Sequence, residues 1–259
     1  KGIEVNKRSL SAKKYLKTKT YQNLISNPQD IKAVIAHARM ETNGSFSESK
    51  NNQPVVKDGL VTVHNGIIVN DNELWEKNPG IKREYEVDTE VFNSLVSSRE
   101  RKGTTLFGSV EETLRDIKGS YSFATFFEDF NYLLLASNTG SLYYINNKDF
   151  LIFASEYTFL ESLMKIYDKY LLDIEIKQVI PNSLIFVDID TLEIKTKDFD
   201  SVKKKREISL VDVYAEERTS RTRGKTLTES DIQEIKDIIN GEYKERLERI
   251  RGLRRCTKC

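Results

Sequence analysis

Four strand-like segments, SYSFATFF, YLLLASN, SLYYIN and FLIFASE, follow one another between Ser120 and Glu156 with only short polar breaks. Breaks that short join antiparallel neighbours; they cannot hold the crossover that a parallel pair needs. Two further segments, NSLIFVDID and LEIKTKDF, look like a closing hairpin, and Ile31–Ala38 (IKAVIAHA) reads as another strand. Apolar residues at helical spacing mark a helix over Asp88–Gly103, with Val91, Phe92, Leu95 and Val96 on one side and Asp88 or Thr89 as its cap. Ser109–Gly119 and YTFLESLMKIY read as two more helices, and Ser11–Asn27 as a basic amphipathic one capped by Ser11. Helices flanking two groups of mainly antiparallel strands give an α+β layered domain.

This domain is expected to span residues 1–200. Residues 201–227 are charged, rich in Ser, Thr and Arg, and read as a linker. Residues 228–259 then read as a helix over Glu229–Leu253 leading toward a further, C-terminal domain. Of 259 residues 31% are charged, yet the formal net charge is +1, so no whole-chain field steers it to nucleic acid or anionic lipid. No apolar run approaches the roughly 18 residues of a membrane span. Both cysteines lie in the last four residues, which excludes a disulfide framework and makes a reducing, cytoplasmic compartment the expectation.

The stretch GLVTVHNGIIVND, Gly59 to Asp71, breaks two apolar runs with His64-Asn65-Gly66. Asn-Gly between alternating apolar residues is a strong signal for a tight hairpin turn, because both can take φ > 0. That reading leaves unexplained the His and the polar segment upstream, residues 41–58, rich in Asn and Ser. Loops that long inside compact domains are often functional. The two histidines, His37 and His64, each end an apolar run. A histidine at a strand end is more often structural than catalytic, and the nearby carboxylates lack metal-site spacing. No G-x-S-x-G elbow supports a serine triad.

Taken in order, AHARMETNG, NNQPVV, VHNGIIVNDNEL and VDTEVF resemble the class II glutamine amidotransferase domain. The downstream segments KGSYSFATFF, GSLYYIN and FLIFASEYTFLESL look like the asparagine synthetase arm of that family. The resemblance covers about Ile31 to Phe199. It implies an N-terminal nucleophile hydrolase fold: a four-layer αββα sandwich of two mainly antiparallel sheets between helices. It also implies a reaction, in which L-glutamine is hydrolysed and its ammonia passes to a fused or partner synthase domain whose acceptor is a sugar or a carboxylate.

In that chemistry an N-terminal Cys attacks the side-chain amide with its own α-amine as base. Preorganised donors meet the resulting oxyanion. The resemblance assigns these donors to the Asn65 side-chain amide and the Gly66 N–H. It assigns Arg39 to the glutamine α-carboxylate, because a guanidinium binds carboxylates bidentately, and Asp88 to the α-ammonium. Met40, Thr42, Asn43 and Gly44 fall where the family shapes the glutamine loop. Met40, Glu41 and Asn43 depart from the residues usual there. The family begins Met-Cys-Gly-Ile, whereas Gly2-Ile3 follow Lys1 here and no Cys precedes Cys256. The expectation is therefore that the nucleophile, with the first strand and helix, lies ahead of this chain. The glutaminase domain itself implies no cofactor. Cys256 and Cys259 form a CxxC pair, half of a zinc site, and a synthase domain beyond it would use ATP. A non-catalytic binding or regulatory module with the same fold is the alternative reading.

Overall fold

The computed structural model describes residues 2–27, 29, 31–38, 51–167, 171 and 174–199. The chain divides into two compact units, residues 1–157 with 174–203, and residues 158–173 with 204–259. The second unit is described chiefly through a helix, α6, at Tyr157–Ile166. The expected linker and C-terminal helix, and Cys256 and Cys259, lie outside the described residues.

The first unit carries two antiparallel sheets. The larger has six strands in the order β1 (Val55–Lys57), β2 (Leu60–Ile68), β3 (Gly119–Phe127), β4 (Tyr132–Ser137), β8 (Ser183–Asp188) and β9 (Ile194–Asp198). The smaller has β6 (Leu151–Ala154), β5 (Tyr143–Asn146) and β7 (Lys177–Gln178). Side chains alternate across the larger sheet, as a pleated strand requires. On one face Tyr121, Phe123, Phe127, Leu134, Ala136, Leu184 and Phe186 pack with Val91, Phe92, Leu95, Val110 and Leu114. These last come from α4 (Thr89–Arg101) and α5 (Leu106–Asp116), which follow α3 (Asp71–Lys77) in the chain. On the other face Val61, Val63, Ala124, Phe126, Leu133, Leu135, Ile185 and Val187 meet Tyr144, Leu151 and Phe153 of the smaller sheet. The α+β expectation of two antiparallel sheets with helices is met.

Three local expectations are corrected. Ser11–Asn27 is two short helices, α1 (Ala12–Tyr15) and α2 (Lys19–Leu24), because the Thr18 hydroxyl accepts from the Tyr21 N–H and starts a new helix. Ile31–Ala38 is not a strand. No described strand pairs with it: Val34 is 64% exposed, and Ile35 packs on the sheet face of Val61 and Val63 without joining a ladder. The Asn65-Gly66 hairpin is absent. β2 runs straight through His64-Asn65-Gly66, and each residue from Leu60 to Ile68 keeps its partner on β3. The turn lies one strand earlier, at Asp58-Gly59, where φ is 52° and 79°. Those two residues close the β1–β2 hairpin with Lys57 opposite Leu60, the geometry that suits Asp-Gly.

Candidate functional site

That hairpin decides which backbone groups of β2 face which neighbour. In a two-residue hairpin the residues flanking the turn form the first hydrogen-bonded pair, and bonding alternates from there. The even-numbered residues of β2 therefore direct N–H and C=O toward the β1 side, and the odd-numbered ones toward β3. The flanking bonds agree: the Gly59 carbonyl accepts from Glu128 N–H at 2.8 Å and the Val69 N–H donates to the Lys118 carbonyl at 2.9 Å. β1 reaches only as far as Val55, opposite Thr62. Beyond Thr62 no described strand flanks this edge of β2, and His64, Gly66 and Ile68 are turned toward it.

Two of these three positions are occupied by side chains. The Gln53 amide donates to the His64 carbonyl at 2.7 Å and accepts from the His64 N–H, closing both backbone groups as a strand would. An Asp88 oxygen accepts from the Ile68 N–H at 2.7 Å. Between them, the Gly66 N–H has no partner among the described residues. Gly66 has φ of 150°, a value side-chain-bearing residues rarely adopt. A Cβ there would run into the Ser120 carbonyl and stand 2.8 Å from His64 Nε2. Asn65 is exposed, and alternation puts its side chain on the face of Val61 and Val63.

Asp88 occupies the N-cap position of α4, but its carboxylate makes no capping bond. It reaches back to β2 instead, and also accepts from the Thr89 hydroxyl at 3.3 Å. The loop that brings it there is held from below. Glu90 is fully buried, and its carboxylate accepts from the Glu84 N–H and the Tyr85 N–H, each at 2.7 Å. Lys57, 8% exposed in its side chain, sits 2.7 Å from Glu84 and 3.5 Å from Glu90. Burial presses its ammonium down, but the Glu84 hydrogen bond and the charges of Glu90, Glu84 and Asp58 outweigh this and raise it above its ordinary value. Asn51 ties residues 51–53 to the same loop, donating to a Glu86 carboxylate oxygen at 2.8 Å.

His64 lies beneath the open edge. Its ring packs 4.5 Å from Phe123, which stacks at 4.3 Å on Phe92. Nδ1 lies 3.0 Å from the Thr89 hydroxyl and 3.8 Å from Asp88, while the buried Nε2 has no hydrogen-bond partner among the described residues. Burial pushes the imidazole below its ordinary value of 6.5, against the Asp88 carboxylate and the Ser120 carbonyl, which favour the cation. Between the folded and unfolded values the unfolded chain binds the extra proton, so stability rises with pH there. The chain is therefore expected to lose stability as pH falls below about 6.5. Melting temperatures from pH 7.5 to 5 should show a slope that shrinks in His64→Gln. An unchanged slope would mean that another group titrates.

The expected site residues thus divide. Asn65, Gly66 and Asp88 come together around the end of β2. Arg39, Met40, Thr42 and Asn43 lie outside the described residues, and His37 falls in a segment that is neither helix nor strand. Sequence reasoning missed Gln53, Glu90 and Thr89. A glutamine before a proline and a glutamate in the first turn of an apolar helix carry little signal until their burial is known. A separate cleft of about 440 Å³, lined by Lys57, Lys82, Glu84 and Arg101 among others, includes none of the three. Two of its cations are already matched by carboxylates, Lys57 by Glu84 and Arg101 by Asp58. The described residues contain no His, Cys, Asp and Glu cluster able to hold a metal, and no helix among them is long and apolar enough to cross a membrane.

Comparison with known proteins adds a family. Residues 37–162 match the family described as glutamine amidotransferase domain. A glutamine–fructose-6-phosphate aminotransferase (isomerizing) of Rhizobium meliloti is 36% identical over 110 residues, 42% of this chain and 18% of that protein. The enzyme of the same name from Shigella flexneri is 38% identical over 109 residues, 41% of this chain and 18% of its own length. The matched part of the chain thus spans about a fifth of these relatives. A solved glutamine phosphoribosylpyrophosphate amidotransferase from B. subtilis, complexed with ADP and GMP, superposes with a TM-score of 0.47 at 23% identity, over 63% of this chain and 34% of that one.

Proposed function

We propose that residues 37–162, which match a glutamine amidotransferase domain, are one of class II that hydrolyses the side-chain amide of glutamine and supplies the ammonia to a synthase domain, fused or separate. The observation that carries the reading is the Gly66 N–H: a donor with no partner among the described residues, on a strand edge whose neighbours on both sides are closed by Gln53 and Asp88. Attack on the amide by the N-terminal Cys of this class turns the carbonyl oxygen into an oxyanion. A donor already aimed and free of other partners stabilises that charge without reorganising. Asn65, exposed beside it, supplies a neutral second donor, and the glycine lets substrate approach the backbone with no Cβ in the way.

Asp88 is the candidate for the glutamine α-ammonium. One oxygen is engaged by the Ile68 N–H and its side chain is 13% exposed, so it can meet a ligand without being free to swing. Arg39 is the matching candidate for the α-carboxylate. The acceptor is a sugar or a carboxylate, and the names of the relatives favour a sugar phosphate.

The test uses the full-length protein that carries this domain. Asp88→Asn and Arg39→Ala are each expected to lower glutamine-dependent kcat/KM about ten- to a hundredfold, since one charge-assisted hydrogen bond contributes roughly 1.5–3 kcal/mol. Rates with added ammonia should stay level, because ammonia bypasses the glutamine site. A parallel fall in both rates would remove the assignment. Failure of the protein to release ammonia from glutamine at all would favour a non-catalytic module.

A further inference from the structure

We infer that Gln53 is a positioning residue for the oxyanion donors, acting through the backbone of His64. The inference rests on the reading of Asn65 and Gly66 as those donors. Val55 opposite Thr62 is the last β1–β2 pair, and continuing the register by two sets Gln53 opposite His64. There the side chain, not the backbone, completes the ladder: Nε2 donates to the His64 carbonyl at 2.7 Å and Oε1 accepts from the His64 N–H. His64 immediately precedes Asn65. The His64 N–H and C=O belong to the two peptide units that flank its Cα, so holding both fixes the turn between those units and the direction in which the chain leaves for Asn65. Gly66 is the residue that needs this help, because glycine ranges freely over positive and negative φ and its own backbone preference does not single out the 150° seen here. Asp88 holds the strand from the far side at Ile68. Gln53 and Asp88 together clamp the segment and leave the Gly66 N–H open between them.

The choice of a primary amide follows from the chemistry. Closing one N–H and one C=O of the same residue takes an adjacent acceptor and donor in one plane. Among uncharged side chains Asn and Gln carry that pair, and Gln has the longer reach. A carboxylate offers two acceptors and would face the His64 carbonyl with like charge.

The test compares Gln53→Glu, Gln53→Met, Asn65→Ala and Val110→Ala in the full-length protein. Val110 is fully buried in α5, away from this edge, and Val110→Ala measures what lost stability alone does. Both Gln53 variants are expected to lower glutamine-dependent kcat about ten- to a hundredfold, because a small misplacement of a catalytic donor costs that much. KM should move by less than about twofold, and ammonia-dependent rates should not move. In Gln53→Glu the deficit relative to the unmodified protein should shrink as pH falls, since a protonated carboxyl regains one donor; in Gln53→Met it should not. Loss of melting temperature with glutamine kcat intact in the Gln53 variants, while Asn65→Ala abolishes turnover, would overturn the role of Gln53 and keep the oxyanion reading. Full glutamine turnover in Asn65→Ala would overturn both.

Discussion

Asn65→Ala and Gly66→Ala in the full-length protein are expected to lower glutamine-dependent kcat at least about a hundredfold, with ammonia-dependent synthesis unchanged. The two act by different routes. Asn65→Ala deletes a donor whose side chain is exposed and makes no described contact, so the melting temperature should hold. Gly66→Ala leaves the N–H in place but asks alanine for a φ of 150° and drives its Cβ into the Ser120 carbonyl and toward His64 Nε2. The strand must shift to relieve this, so both rate and melting temperature should fall. Steady-state rates with each nitrogen source, beside thermal unfolding, separate these effects. Gly66→Ala with full glutamine turnover would mean that the Gly66 N–H is not a donor to the reaction.

Glu90→Ala is expected to cost about 3–5 kcal/mol of unfolding free energy, the largest effect on stability foreseen for a single polar residue here. Its carboxylate is wholly buried, holds two backbone N–H groups and faces Lys57, whose side chain is 8% exposed. Removing it strands both N–H groups and takes from Lys57 its buried counter-charge. Glu84 remains beside Lys57 at 2.7 Å, but on the solvent side, where screening weakens the pair. Glu90→Gln keeps the shape and one acceptor and should cost less. Because Glu90 also holds the loop leading to Asp88, Glu90→Gln should raise the KM for glutamine before it lowers kcat. Denaturant unfolding gives the first quantity and kinetics the second. A loss below about 1 kcal/mol in Glu90→Ala would show that water or rearrangement replaces the carboxylate.

The elements most legible in the sequence were those whose signal is local. The helices at Thr89–Arg101 and Tyr157–Ile166 follow from apolar spacing, and the antiparallel order of β3 and β4 from a break too short for any crossover. The order of AHARMETNG, NNQPVV, VHNGIIVNDNEL and VDTEVF sufficed to name the family that the comparison finds. Where local signals competed, the sequence misled. Asp58-Gly59 and Asn65-Gly66 are both dipeptides that favour a turn, and only one turns. Val34 and its neighbours have strand-forming side chains, yet a strand also needs a partner ladder, which no segment's own composition supplies.

The amino-acid sequence by itself determined the α+β class and the run of antiparallel strands, and through the order of its motifs it nominated Asn65, Gly66 and Asp88 as candidates. Only the tertiary structure decided which N–H is open. Whether the Gly66 donor is satisfied depends on where β1 ends, on Gln53 reaching His64, and on Asp88 spending an oxygen on Ile68 rather than on its own helix. An unpaired edge is a relation between segments far apart in the chain. Side-chain propensities act over a few residues and cannot specify it, whereas the folded chain brings Gln53 and Asp88, far from each other in sequence, onto the same strand edge.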